Sequence, residues 1–176
     1  MTADELALRY ATEQPEATRR RELVWQDPMP AAGAGAEMAG IDYMKALVAG
    51  EMPPPPIAVT MRFAFVEVEV GKAAFEGVPG EEHYNPIGVV HGGYASTLID
   101  SAAGCAVHTT LAQGEAYTTL TLEVKMVRPI LRDTGRVRAE AEVVHRGRRQ
   151  ATAEAKLYAV ETGKLLATAT STCMIL

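Results

Sequence analysis

From residue 118 onward, apolar and polar positions alternate along the chain. In TTLTLEVKMV (118–127), Leu120, Leu122, Val124 and Met126 fall on one face, and Thr121, Glu123 and Lys125 on the other. In RVRAEAEVV (136–144), Val137, Ala139, Ala141 and Val143 alternate with Arg138, Glu140 and Glu142. Across 150–160, Ala151, Ala153, Ala155 and Leu157 alternate with Thr152, Glu154 and Lys156. Thr162-Gly163-Lys164 then turns the chain into LLATATSTCMI. Alternation this clean predicts antiparallel strands with one face in water. Further upstream, Ala64, Val66, Val68 and Val70 alternate with Phe65, Glu67 and Glu69. Gly71-Lys72 turns that strand into a second one, KAAFEGV.

Between these groups the period lengthens. From Gly92 to about Leu111, Leu98, Ala102, Cys105 and Ala106 recur at spacings of three and four. Tyr94, Ala95 and Ile99 widen the apolar surface, so this helix is expected to be almost wholly buried. Two strands, one buried helix and four further strands predict an α+β fold, with an antiparallel sheet wrapped around one long central helix. The many inward alanines let sheet and helix approach closely.

The first fifty residues read differently. Residues 3–24 have weak helical character interrupted by Pro15, and QDPMPAAGAGA (26–36) reads as a linker. Ile41, Met44 and Val48 predict a short helix that stops at Gly50. The prolines at 53–56 cannot sit inside a helix and are expected to run extended. Residues 1–50 are therefore taken as an N-terminal helical extension and linker, and 51–176 as the domain proper.

Composition narrows the function. The 176 residues are 48% hydrophobic and 22% charged, enough for a sizeable core. A net charge of −5 excludes a general nucleic-acid binder. Cys105 and Cys173 are far apart and read as small buried hydrophobes. The opening MTADELALRYATE is too polar for a signal sequence, and no apolar run approaches the ~18 residues of a membrane span. The expectation is a cytoplasmic protein with no membrane partner.

The candidate chemistry sits in NPIGVVHGGYASTLID (85–100). His91-Gly92-Gly93 opens the helix, where backbone N–H groups lack internal partners and the dipole is positive. Such an end attracts an oxyanion or a polarised carbonyl. Glycine there either serves a tight junction or lets a substrate reach the backbone. Asp100 lies further along the same helix, and an unpaired carboxylate is costly to bury. Its placement points to acid–base or nucleophilic chemistry. Eight residues separate Gly92 from Asp100, roughly 12 Å along the axis. One helix cannot bring both to the same carbon, whereas two antiparallel copies around a two-fold axis can. The spacing therefore predicts a homodimer.

The pattern NPxGxxHGGxxxxLxD, followed by TTLTLEVKMVRP and the turn Gly163-Lys164-Leu165, resembles the PaaI-type acyl-CoA thioesterases of the hotdog-fold superfamily. The resemblance covers roughly residues 57–176, and GIDYMKALVAGE resembles a leader helix of some bacterial members. It implies hydrolysis of an acyl-CoA thioester, CoA being part of the substrate and no metal or cofactor being needed. It implies that Asn85 orients the thioester or the attacking water, and that the Gly92 N–H is the oxyanion donor. His91 then supports that loop, and Asp100 of the partner subunit acts as nucleophile or general base. Thr119 matches the hydroxyl that positions water, with Thr118 adjacent. Gly93 and Tyr94 are expected at the substrate, and Tyr94, Leu98 and the third strand are expected to line the acyl pocket. Arg146, Arg148 and Arg149, in the HRGRR turn, are candidates for the CoA phosphates. A dimer of dimers is also open.

Other chemistries fit less well. His83 and His91 have no carboxylate or cysteine at ligand spacing, Ser96 and Ser101 lack a GxSxG elbow, and GVVHGG is not GxGxxG. The main alternative is a hotdog module that binds acyl-CoA without hydrolysing it.

Overall fold

A computed structural model describes Thr2, Asp4 and residues 19–176 of the chain. Most of the weak helix expected over 3–24 lies outside the described residues, and residues 19–24 have no regular structure. Three helices precede the first strand: α1 (Met29–Ala36), α2 (Gly40–Val48) and α3 (Pro56–Met61). The strands are β1 (Phe63–Glu69), β2 (Lys72–Gly77), β3 (Tyr117–Met126), β4 (Val137–Arg146), β5 (Gln150–Ala159) and β6 (Leu165–Ile175). The long helix α4 (Gly92–His108) falls between β2 and β3, after a short 3-10 turn at Glu81–His83.

All six strands form one antiparallel sheet, in the order β1-β2-β4-β5-β6-β3. The sheet wraps around α4, which is the hotdog arrangement. Ala139, Ala151, Ala153, Ala155 and Ala167 on the sheet are buried together with Ala102, Ala103 and Ala106 of the helix. Small side chains on both surfaces bring the backbones close enough to exclude water. No helix of the described residues is long and apolar enough to cross a membrane.

Three sequence expectations need correction. The 26–36 linker contains α1, where the alanines of MPAAGAGA outweigh its two glycines once Pro28 and Pro30 have set the entry. The proline run is extended only to Pro55, because Pro56 is the first residue of α3, where its missing N–H costs nothing. Two strands also change phase. A bulge between Phe65 and Glu67 puts Phe63, Phe65 and Val68 inward, and leaves Val66 and Val70 exposed. A second bulge, between Thr119 and Thr121, puts Thr119, Leu122 and Val124 inward and leaves Leu120 exposed. An extra residue in one strand reverses the side-chain alternation beyond it.

The leader helix α2 is fixed to the far end of α4. The Gly40 N–H donates to the Leu111 carbonyl at 3.0 Å. A side chain at Gly40 would place its Cβ 1.8 Å from the His108 carbonyl oxygen, so only glycine permits this approach. Tyr43 packs on His108, which in turn packs on Tyr117.

Candidate active site

The loop before α4 locks itself. The Asn85 side-chain carbonyl accepts from the N–H groups of Ile87 (3.1 Å) and Val89 (3.2 Å). The Asn85 N–H donates to the Val89 carbonyl at 2.8 Å. Asn85 is thus an Asx-type brace for its loop, and only its side-chain NH₂ remains for a ligand. The loop ends are held by His91 N–H to His83 carbonyl (2.8 Å) and Val90 N–H to Ile130 carbonyl (3.1 Å).

His91 is the N-cap of α4. Its Nδ1 accepts the Gly93 N–H at 2.8 Å, which assigns the ring proton of the neutral imidazole to Nε2. The Tyr94 N–H donates to the His91 carbonyl at 2.9 Å. Of the first three helical amides, that of Gly92 alone donates to no acceptor among the described residues. Gly92 is exposed beside Met126, in a cleft of about 310 Å³ that also includes Ala95, Arg128 and Ile130. Neither Gly92 nor Gly93 has positive φ, so both serve space rather than backbone freedom. A Cβ on Gly92 would stand 3.2 Å from Met126 Cε, and one on Gly93 3.0 Å from His91 Nδ1.

Asp100 is half-buried two turns further along α4. It accepts a hydrogen bond from the Thr119 hydroxyl at 3.2 Å. The β3 bulge turns Thr119 toward the helix, whereas Thr118 is exposed. The serines and threonine nearby are occupied by their own helix. Ser96 donates to the Gly92 carbonyl, Thr97 to that of Gly93, and Ser101 to that of Thr97. Among the described residues, none of these hydroxyls donates to a side-chain base.

Two expected binding groups lie elsewhere. Tyr94 and Leu98 are 1% and 0% exposed and face β2, so a Cβ on Gly77 would meet both. The Tyr94 ring packs on His83, and its hydroxyl has no hydrogen-bond partner among the described residues. They belong to the core rather than to an acyl pocket, because the helical repeat turns both away from the Asp100 face. Arg146 is paired with Glu115 at 3.0 Å and also bonds the Gly147 carbonyl, so it braces the turn. Arg148 and Arg149 are exposed in that turn.

The sequence pattern did not disclose that β3 lies at the sheet edge, nor that Met126 flanks Gly92. Both follow from strand order, which alternation does not encode. β3 runs alongside α4 in the opposite direction. Its Met126 end meets Gly92, its Thr119 meets Asp100, and Tyr117 meets Gly104. The arrangement therefore offers an unpaired amide at a helix N-terminus and an oriented carboxylate, both against one free sheet edge.

A model of the thioesterase superfamily matches residues 87–166. A phenylacetic acid degradation-related protein from Ralstonia eutropha JMP134 is 32% identical, over 75% of this chain and 98% of that one, with a TM-score of 0.67. The PaaI phenylacetic acid degradation protein of Thermus thermophilus is 30% identical over 68% and 98%, with a TM-score of 0.61. A thioesterase family protein from Silicibacter pomeroyi is 27% identical over 76% and 98%, with a TM-score of 0.67. No curated protein matches the sequence. With the fold, the free helix-end amide and these likenesses together, the chain belongs to the thioesterase superfamily and is a PaaI-type hotdog thioester hydrolase.

Proposed function

We propose that the chain hydrolyses acyl-CoA thioesters at sites shared between two subunits. The observation that carries this reading is the pairing of a free Gly92 amide with an Asp100–Thr119 couple further along the same helix. Gly92 and Asp100 stand roughly 12 Å apart along one axis, too far to act on one carbon. The edge strand supplies a way to bring unlike ends together. Around a two-fold axis, antiparallel pairing of β3 with its copy sets the Met126 end of one strand against the Thr119 end of the other. Gly92 of one subunit then meets Asp100 of the partner subunit.

The chemistry follows from those groups. The substrate carbonyl oxygen accepts the Gly92 N–H, and the helix dipole favours the charge that develops there. Asp100 of the partner subunit takes a proton from water, whose oxygen adds to the carbonyl carbon. When the intermediate collapses, the C–S bond breaks, the thiolate leaves and takes up a proton, and a free acid remains. Direct attack by the carboxylate would instead give an anhydride that water opens. One turnover in heavy-oxygen water separates the routes, since only direct attack leaves label in Asp100. Thr119 orients the carboxylate, His91 holds the loop, and the Asn85 NH₂ faces the thioester or the water.

Arg148 and Arg149 are the candidates for the CoA phosphates, at the sheet end where the Ile175 N–H donates to the Arg149 backbone carbonyl and Ile175 pairs with Tyr117, two residues from Thr119. Added salt should raise KM for a CoA ester, and a flat response would remove both from this role. The reading as a whole is tested by thiol release from a panel of acyl-CoAs. Wild type should release thiol, and Asp100→Asn should lose activity by at least about a hundredfold. Equal activity of the two proteins would contradict it.

A further inference from the structure

Three residues fix the direction of the Gly92 amide: His91, Tyr94 and His83. The Gly92 N–H belongs to the peptide shared with His91, and in a trans peptide the N–H and C=O point opposite ways. Whatever holds the His91 carbonyl therefore aims the Gly92 N–H. That carbonyl accepts the Tyr94 N–H at 2.9 Å. At its other end, His91 is held by its own N–H, which donates to the His83 carbonyl at 2.8 Å. The peptide that carries the Gly92 amide is thus supported by Tyr94 on one side and by His83 on the other.

His83 acts on both supports. Its carbonyl holds His91, and its ring packs on the Tyr94 ring with centroids 4.7 Å apart. Tyr94 cannot shift toward β2, because its hydroxyl already fills the space where Gly77 has no Cβ. The His83 ring is itself fixed. Its Nδ1 accepts the Gly80 N–H at 3.0 Å, and the His83 N–H donates to the Gly80 carbonyl at 3.0 Å. This reciprocal pair closes the 3-10 turn Glu81–His83. Nε2 has no partner among the described residues, so the Gly80 bond alone orients the ring by polar contact. The preceding residue, Glu82, pairs with Arg62 at 3.0 Å and anchors the turn to the start of β1. His83 is 9% exposed, so it acts through His91 and Tyr94 rather than by touching a substrate.

We infer that His83 is a positioning residue for thioester hydrolysis: its carbonyl and its ring together aim the Gly92 N–H at the substrate oxygen. The inference rests on the oxyanion role proposed above for Gly92. A donor aimed in advance needs no rearrangement as charge develops on the oxygen. Tilting the peptide weakens a bond that matters most in the transition state and leaves ground-state contacts in place. The loss should therefore fall on kcat and spare KM.

The test measures thiol release and melting temperature for His83→Ala, His83→Phe and Gly92→Pro, and for each His83 substitution combined with Gly92→Pro. Well below each melting temperature, His83→Ala should lower kcat about tenfold, with KM within about twofold of wild type. His83→Phe keeps a ring against Tyr94 and loses the Gly80 bond, so kcat should fall about threefold. Where His83→Ala does not fold, His83→Phe carries the same comparison. Gly92→Pro removes the amide itself at a position that tolerates proline, so neither His83 substitution should lower kcat further in that background. A residue that only holds the fold together would lower the melting temperature and leave kcat per folded enzyme unchanged. That result, or an equal loss of kcat in the wild-type and Gly92→Pro backgrounds, would overturn the positioning role. With Gly92→Pro still impaired, the oxyanion reading would survive. A Gly92→Pro protein with wild-type kcat would sink the oxyanion reading, and this inference with it.

Discussion

The Thr119 hydroxyl donates to Asp100 Oδ1 across 3.2 Å, tying the edge strand β3 to the central helix. A carboxylate held this way keeps one oxygen engaged and presents the other. Thr119→Ala removes the tether and leaves the carboxylate chemistry intact. We expect kcat to fall about tenfold, the effect of about 1.4 kcal/mol of lost positioning, with KM nearly unchanged. Thr119→Ser should recover most of the loss. Steady-state kinetics on all three proteins check this, and a KM effect without a kcat effect would contradict it.

His91 holds the Gly93 amide, and the neighbouring Gly92 amide has no acceptor among the described residues. His91→Ala deletes the N-cap acceptor, at a cost of about 0.5–2 kcal/mol. The melting temperature should drop by about 2–4 °C for each kcal/mol lost. Asparagine is a strong N-cap, so His91→Asn should restore both the melting temperature and most of the activity. A His91→Asn protein with normal stability and no activity would show that the imidazole carries a proton.

Burial holds two imidazoles, His83 and His108, below the ordinary 6.5. At His83, Arg21 and Arg62 push the same way, and Glu82 opposes them. Between the depressed and ordinary values, the unfolded chain binds more protons than the folded one. Stability is therefore complete above about pH 6.5 and declines as pH falls below it. Thermal melts from pH 7 to pH 5 should show this fall, and His108→Phe should reduce it. A flat profile over that interval would contradict the assignment.

The sheet-and-helix plan was legible in the sequence because β4, β5 and β6 keep an alternating or nearly alternating burial pattern, and α4 keeps its apolar repeat. The placement of Gly92 and Asp100 was legible because it is local: a helix start, and a carboxylate at fixed spacing along the same helix. The face of each flanking strand was not. The bulges after Phe65 and Thr119 insert one residue each, and no residue type marks them. The helix in MPAAGAGA was missed because glycine and proline count as breakers, although here the prolines stand at its start. Tyr94 was misplaced for another reason. Proximity in sequence to His91-Gly92-Gly93 suggested the substrate, but the turn of the helix directs it into the core.

The central claim is that each site draws its amide and its acid from different chains. Gly92 is the first residue of α4, where proline is tolerated, so Gly92→Pro deletes the N–H and keeps the helix. Alone, it should cost about 10²–10³ in kcat. The most direct measurement mixes Gly92→Pro and Asp100→Asn subunits, each nearly inert by itself, and follows thiol release. In a mixed dimer one site carries both defects and the other carries neither, so an equal mixture should recover about a quarter of wild-type activity. If the mixture stays as inert as its two parents although mixed dimers form, amide and acid belong to the same chain and the account is wrong.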